Sequence, residues 1–350
     1  MPRLPQLIPR AVTRTAGRLS SSAAVCTSFS KPLEFQTGRP PLPLGPQQLR
    51  IKVAAAGVNF ADILQCRGQY QDKAEPPFIP GNELAGEVSE VGAGAPFAVG
   101  DRILCLSRGG AFASEQVADA RACLKLPAEA AAATDLAEGA ALLCNYGTAH
   151  LALTRAAVRP TDTVLVTAAA GGVGMAAVEL AKAMGVARVI AACGSDAKLA
   201  AAAAKGAEAV GVNYAGMDGR AFRARLKEVA GPAGVDCVLD MVGGELLEPA
   251  VRSLNWNGRG VVIGFASGTI PKLPVNLLLL KNISLSGLFW GAHLIHDPKT
   301  ILSSAEELVQ LWLAGKIRPH IGARVPLSQA NDAFAMIESR HSVGKVVLIP

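Results

Sequence analysis

The chain has 350 residues, half of them hydrophobic and only 18% charged. That balance excludes a disordered protein, and the length points to about two domains. The formal charge of +6 raises nucleic acid and membrane surfaces as partners. The uncharged stretches 139–154 and 282–296 carry Asn, Thr, Ser and His and fall short of the ~18 residues a crossing helix needs, so no transmembrane helix is expected. The seven cysteines are scattered, odd in number and without a CxxC pair. They read as free thiols of a reducing compartment, with no disulfide framework.

The first acidic residue is Glu34. Before it come Arg3, Arg10, Arg14, Arg18 and Lys31, with Ser20, Ser21 and Ser22. An Arg-rich, Ser-rich, acid-free start is the composition of a mitochondrial transit peptide. Residues 1–22 are assigned to one, cleaved within 18–23. Arg10 and Arg14 interrupt the apolar core that a secretory signal requires, and Pro2, Pro5 and Pro9 weaken a helix before position 10. The alternative is an unstructured basic tail of a cytosolic protein. Removal of 1–22 takes away four Arg and no acid, and +6 − 4 = +2. The mature chain is then close to neutral, and no nucleic-acid partner is expected.

Residues 23–140 carry short strand-like runs, among them Leu49–Ala54 and Glu83–Val91. Gly81, Gly86, Gly92, Gly94, Gly100 and Gly109 punctuate them. Short strands between Gly and Pro turns predict a small β-rich domain. Phe334–Ile337 and Lys345–Ile349 read as a helix and a strand returning to it. The expected division is 23–145 with 295–350 for this domain, and 146–294 for a second.

The second domain opens with the β-branched run Thr163–Thr167, then Ala168-Ala169-Ala170-Gly171-Gly172-Val173-Gly174. Met175–Met184 follows at helical spacing, with Gly185 as a stop and Arg188–Ala192 as a second strand. Strand, glycine turn, helix and strand make a βαβ unit whose glycines let backbone approach a pyrophosphate at a helix N-terminus. Ala169 stands where the first glycine of a G-x-G-x-x-G pattern belongs. At the end of the second strand an NAD site usually carries Asp or Glu. Here Cys193 stands there, followed by Gly194, Ser195 and Lys198. No carboxylate opposes a 2′-phosphate, Ser195 can donate a hydrogen bond and Lys198 supplies charge, which favours NADP(H) over NAD(H). Asp196 argues the other way unless it caps the alanine-rich helix 197–204.

Further strand candidates are Ala209–Val212, Val235–Met241 and Arg259–Gly264. Alternation of strands and helices predicts a doubly wound parallel sheet with ligands at the strands' carboxyl ends. Tyr214, Val242, Gly243, Gly264 and Phe265 fall at those ends.

The segments Ala55–Asp62, Pro80–Gly86, Val99–Ile103, Asn145–Ala149 and Ala170–Gly174 occur in that order. From about residue 23 to the end, the chain resembles the medium-chain dehydrogenase/reductase superfamily, in its zinc-free quinone oxidoreductase (zeta-crystallin-like) branch. The resemblance implies an α/β fold: a GroES-like β domain and a Rossmann domain, with the cofactor between them. Zinc-dependent relatives place Cys, His and Cys at positions that correspond here to Asn59, Asn82 and Cys144. Two amides and one thiol do not make a catalytic zinc site, so no metal is expected.

The resemblance also places Asn59 and Thr148 near the nicotinamide, and Gly171, Gly172 and Val173 on the pyrophosphate. Gly194, Ser195, Lys198 and Tyr214 fall around the adenosine phosphate. Gly264, Phe265, Leu288, Phe289 and Trp290 close over the nicotinamide, and Lys345 lies in a tail folded toward the cofactor. Hydride transfer without zinc needs an acceptor that is already electrophilic, a quinone or an enone. The family often has Tyr where this chain has Leu64. Tyr70 is the nearby phenol and the candidate catalytic residue, because enoyl-thioester reductases use a tyrosine in a similar context. Enoyl-thioester reduction is therefore the alternative activity. A non-enzymatic binding role, as in some zeta-crystallin relatives, is a third reading. A homodimer is expected, with 282–287 as the edge strand that pairs subunits.

Overall fold

The computed structural model describes residues 21–131, 134–208, 210–232 and 234–350. The transit-peptide assignment thus lies almost wholly outside the described residues; Ser21 already begins a strand.

The β-rich lobe opens with a hairpin, β1 (Ser21–Val25) and β2 (Glu34–Arg39). Then come β3 (Gln48–Val58), the short helix α1 (Phe60–Cys66), β4 (Glu83–Val91), β5 (Arg102–Leu106), β6 (Glu115–Asp119) and β7 (Cys123–Lys125). Two short helices, α2 (Ala128–Ala131) and α3 (Leu136–Gly139), lead into α4 (Leu143–Arg155). The Rossmann unit is β8 (Thr163–Thr167), α5 (Gly172–Ala183), β9 (Arg188–Cys193), α6 (Asp196–Ala203), β10 (Val212–Asn213) and α7 (Gly219–Ala230). It continues with β11 (Val235–Asp240), α8 (Gly244–Arg252), β12 (Leu254–Val262), α9 (Asn276–Lys281) and β13 (Ser284–Gly287). Helices α10 (His293–His296) and α11 (Pro298–Leu313) precede β14 (Ile321–Pro326), α12 (Ala330–Glu338) and β15 (Lys345–Ile349).

Two main sheets result. One runs β14-β15-β3-β4-β5-β7, with β6 also on β3; the other runs β10-β9-β8-β11-β12-β13 and is parallel throughout. Its strand order reverses direction beside β8, which opens a crevice at the carboxyl ends of β8 and β11. Val164, Leu165 and Val166 of β8 are wholly buried, as a strand covered on both faces requires. Val164 and Val166 face a core shared with α4, α5 and α11, and Leu165 faces a second core with Phe222 and Leu246. The first of these cores also takes Ala55, Ala85 and Leu104 from the β-rich lobe, so apolar packing joins the lobes beneath the crevice.

Several boundaries differ from the sequence reading. Helix α5 begins at Gly172, not Met175, so two glycines lie in its first turn. The strand expected at 209–212 is only Val212–Asn213, and Ala209 lies outside the described residues. β12 starts five residues earlier than expected and ends at Val262, which leaves Gly264 and Phe265 in the following loop. Asn282 is no part of the edge strand: it ends α9 in the left-handed region. All seven cysteines are buried and free. Among the described residues no helix is long and apolar enough to cross a membrane.

Candidate active site

The phosphate-binding turn is built by close backbone approach. After β8 the chain turns through Ala168 at φ +47°, and Gly171 N donates to Ala168 O at 2.8 Å. A Cβ on Gly174 would stand 2.2 Å from Ala168 O, so only glycine lets α5 start this close to the strand. A Cβ on Gly172 would stand 2.2 Å from Asn145 Nδ2 of α4. Gly171 is the N-cap and offers no side chain. The N–H groups of Gly172, Val173 and Gly174 therefore have no acceptor within the helix and sit at its positive end. Gly344 N donates to Ala170 O at 2.8 Å, which ties the start of β15 to the same turn.

The next strand end collects positive charge. Gly194 lies against the Tyr214 ring, whose hydroxyl burial pushes up to about 12. Ser195 caps α6 by accepting from Lys198 N at 3.3 Å. This corrects the expectation for Asp196, which is instead the first helical residue and accepts from Asn213 Nδ2 at 2.9 Å. Lys198 Nζ reaches the Arg340 carbonyl. The Arg340 guanidinium donates to Ala266 O at 3.3 Å, and its charge acts on Tyr214. Among the described residues neither cation has an ion-pair partner. Two cations, one hydroxyl and one phenol thus surround the end of β9.

Farther along the crevice, the buried Asp240 accepts from Thr167 Oγ1 at 2.7 Å and Gly243 N at 2.8 Å. Burial raises its pKa. This fixes the loop after β11, where Val242 and Gly243 stand. A Cβ on Gly243 (φ +65°) would lie 2.6 Å from the Phe265 ring, and Gly264 N donates to Asp240 O at 3.4 Å. The structure thus brings Val242, Gly243, Gly264 and Phe265 together.

Where the lobes meet lies a buried polar network. Asp62 accepts from Asn59 N at 2.7 Å and Asn82 Nδ2 at 2.6 Å. Cys144 N donates to Glu83 Oε2 at 2.9 Å, and burial holds the Cys144 thiol protonated by raising its pKa well above the usual range. Lys345 departs from the expected cofactor contact. Its ammonium is 3% exposed and donates to Glu83 Oε1 and Asn59 Oδ1, each at 2.6 Å, and to Asn145 Oδ1 at 3.5 Å. All three of its donors are engaged, so it supports the site from beneath. Asn59, Asn82 and Cys144 are thus bound into hydrogen bonds. Among the described residues no group of His, Cys, Asp or Glu is arranged to hold a metal ion.

Aromatic side chains line the cleft above this network. The Tyr70 ring meets Phe289 edge-on at 6.0 Å, and burial pushes its hydroxyl up to about 12, with the Asp62 charge adding to the effect. Phe289 is 45% exposed, whereas Leu288 is buried and tied to Val262 O. Trp290 packs on Gly147, beside Thr148, and its indole N–H is buried without a partner among the described residues. Thr148 is half-buried on α4, near one turn after Asn145. A cavity of about 390 Å³ between Gln65, Phe78, Ile79 and Arg108 holds none of the expected site residues and is separate from this cleft.

Sequence reasoning missed Gly174, Asp62, Glu83, Asn145 and Arg340. Gly174 was legible as the last glycine of the motif. Asp62 had a local signal, the Asn59-x-x-Asp62 capping box at the start of α1, whereas Glu83, Asn145 and Arg340 act through long-range contacts.

Comparison with known proteins agrees with this architecture. Residues 45–128 match the alcohol dehydrogenase GroES-like domain, and residues 172–307 match the zinc-binding dehydrogenase family. The chain is 42% identical to quinone oxidoreductase-like protein 2 of Rattus norvegicus, over 98% of this chain and 97% of the rat protein. A mycobacterial protein solved with NADPH superposes with a TM-score of 0.84 at 32% identity, covering 95% of this chain and all of that one. Escherichia coli quinone oxidoreductase complexed with NADPH gives 0.82 at 28% identity, with 94% and 100% covered. With both lobes matched and near full-length relatives, the chain belongs to the medium-chain dehydrogenase/reductase family, in its quinone oxidoreductase-like branch.

Proposed function

We propose that the protein is an NADPH-dependent oxidoreductase that reduces a quinone or a similar conjugated carbonyl without a metal. The observation that carries the cofactor choice is the end of β9, where Ser195, Lys198 and Arg340 gather and the carboxylate of Asp196 is engaged by Asn213. A 2′-phosphate is stabilised there by charge-assisted hydrogen bonds. The open N-terminus of α5 at Gly171, Gly172 and Val173 fits a pyrophosphate. Two solved neighbours are complexed with NADPH, which supports the same reading.

NADPH supplies the hydride when bound. Asn59 and Thr148 hold the nicotinamide end. Val242, Gly243, Gly264 and Phe265 form its wall, and Phe289 and Trp290 exclude water above it. The donor set supports zinc independence: two amides already hydrogen-bonded and a single thiol make a poor ligand sphere. The acceptor must then be electrophilic on its own.

Enoyl-thioester reduction is the second reading. Tyr70 supports it, because its phenol is a proton donor that stands beside the exposed Phe289. The chain is further proposed to act as a homodimer in the mitochondrial matrix. Import is checked by N-terminal sequencing of the mature protein, which begins within residues 18–23 if the leader is cleaved.

The deciding experiment is an acceptor panel of quinones beside trans-2-enoyl thioesters, with metal analysis of the same preparation. Quinone turnover with NADPH, and zinc far below one per chain, supports the first reading. Turnover confined to thioesters, and lost about a hundredfold or more in Tyr70→Phe as for a general acid, replaces it with the second. No NADPH binding at micromolar concentration rejects both.

A further inference from the structure

A buried ion pair at the meeting of the lobes ends on a single amide. The Lys345 and Glu83 side chains are 4% and 1% exposed and lie 2.6 Å apart. Lys345 Nζ also donates to Asn59 Oδ1 at 2.6 Å, and Asn59 Nδ2 donates back to the same Glu83 oxygen at 3.0 Å. The two ends of an amide have nearly the same shape, so packing alone does not choose between its flipped forms. Here chemistry chooses. An ammonium only donates and an ionised carboxylate only accepts. Asn59 must present Oδ1 to Lys345 and Nδ2 to Glu83. One hydrogen on Nδ2 is left over, on a residue that is only partly buried.

The clamp is itself clamped. The second Glu83 oxygen accepts from Cys144 N at 2.9 Å. Lys345 begins β15 immediately after Gly344, whose N–H bonds the phosphate-binding turn. Asn145, the third acceptor of Lys345, fills the space in front of Gly172. Burial of an ion pair is a poor device for stability, because desolvation offsets its attraction and an apolar pair packs as well. What the pair supplies is a fixed direction.

We propose that Lys345 and Glu83 are positioning residues. They hold the Asn59 amide in one orientation, so that its remaining N–H is a fixed hydrogen-bond donor to an oxygen in the cleft. This rests on the reductase reading, since that oxygen belongs to the nicotinamide carboxamide or to the carbonyl being reduced. Neither Lys345 nor Glu83 touches cofactor or acceptor.

The test uses the full chain and the nearly isosteric double variant Lys345→Met/Glu83→Gln, which removes both partners of the ion pair together. It is compared with Asn59→Ala and with the triple variant. Expected are losses of kcat of about tenfold or more in the double variant and in Asn59→Ala, as for a displaced orienting group. The triple variant loses no more than either, and its NADPH affinity falls no further than that of Asn59→Ala. Losses that multiply in the triple variant overturn the proposal. So does a double variant whose kcat and NADPH affinity both match the wild type.

A second readout needs neither cofactor nor acceptor. In asparagine-labelled apo protein, the side-chain amide signals of Asn59 are identified by their loss in Asn59→Ala. Slow hydrogen exchange in the wild type and fast exchange in the double variant support the clamp; equal exchange in both overturns it. A chain that reduces no quinone thus defeats the functional reading alone, and the amide experiment still decides the positioning role.

Discussion

Asp62 shows how one residue sets the charge of the whole network. It is wholly buried, and its two oxygens accept from Asn59 N and Asn82 Nδ2. Burial pushes its pKa from 3.8 to about 7; nearby Glu83 adds to this, while Lys345 and the two hydrogen bonds oppose it. On the α1 side it also faces Cys66 and Tyr70. One lysine thus faces two carboxyl groups, and with Lys345 paired to Glu83, Asp62 is the group that takes up a proton near neutrality. The native state binds that proton more tightly than the unfolded chain. Its contribution to stability is therefore full below about pH 4, falls as pH rises to about 7, and is level above. Denaturant midpoints measured across that interval are expected to show a downward slope in the wild type that is reduced in Asp62→Asn. The variant's absolute stability does not matter to this comparison. Equal slopes in the two proteins would assign the titration to another group.

At the scale of elements, the site depends on how closely α5 approaches β8. Alanine inside a helix is normally better than glycine by up to about 1 kcal/mol. At position 174 the sign reverses, because the added Cβ meets Ala168 O at 2.2 Å and Ala169 Cα at 2.7 Å, both backbone and unable to swing aside. Gly174→Ala is expected to destabilise by about 1–3 kcal/mol, as overpacking does, and to weaken NADPH binding by moving the helix N-terminus. Chemical denaturation and a fluorescence titration check the two effects; a stabilised variant with unchanged affinity contradicts this packing. The same elements explain what was legible beforehand. β8 is a β-branched run, and β9 and β11 are short, largely apolar runs followed by Gly194 and by Gly243, so composition and glycine punctuation find them. β10 is two residues long and supported only by β9, too short for any period. Lys345 and Glu83 are 262 positions apart, and Arg340 reaches α6 from the far side of the chain. Tertiary packing made those contacts, and local sequence carries no trace of them.

At the scale of the molecule, the Rossmann sheet ends on the two-residue strand β10 at one edge and on β13 at the other. β13 pairs with β12 alone, so its outer edge presents unpaired backbone groups. An open edge recruits another strand unless something covers it. Apolar side chains lie just before it: Val275 is 75% exposed, Leu279 80% and Leu280 66%, all at or within α9. A second copy, related by a twofold axis beside β13, would cover both features with one self-complementary surface. Light scattering is then expected to give twice the single-chain mass of 36.0 kDa. Leu279→Lys/Leu280→Lys is expected to give single chains, since two like-charged rims would face each other across the axis. The residues proposed to hold NADPH lie outside α9. The single-chain variant should therefore bind NADPH within about threefold of the wild type. A wild-type protein of single-chain mass rejects the dimer. A variant that separates and loses NADPH together would show instead that the partner chain completes the site.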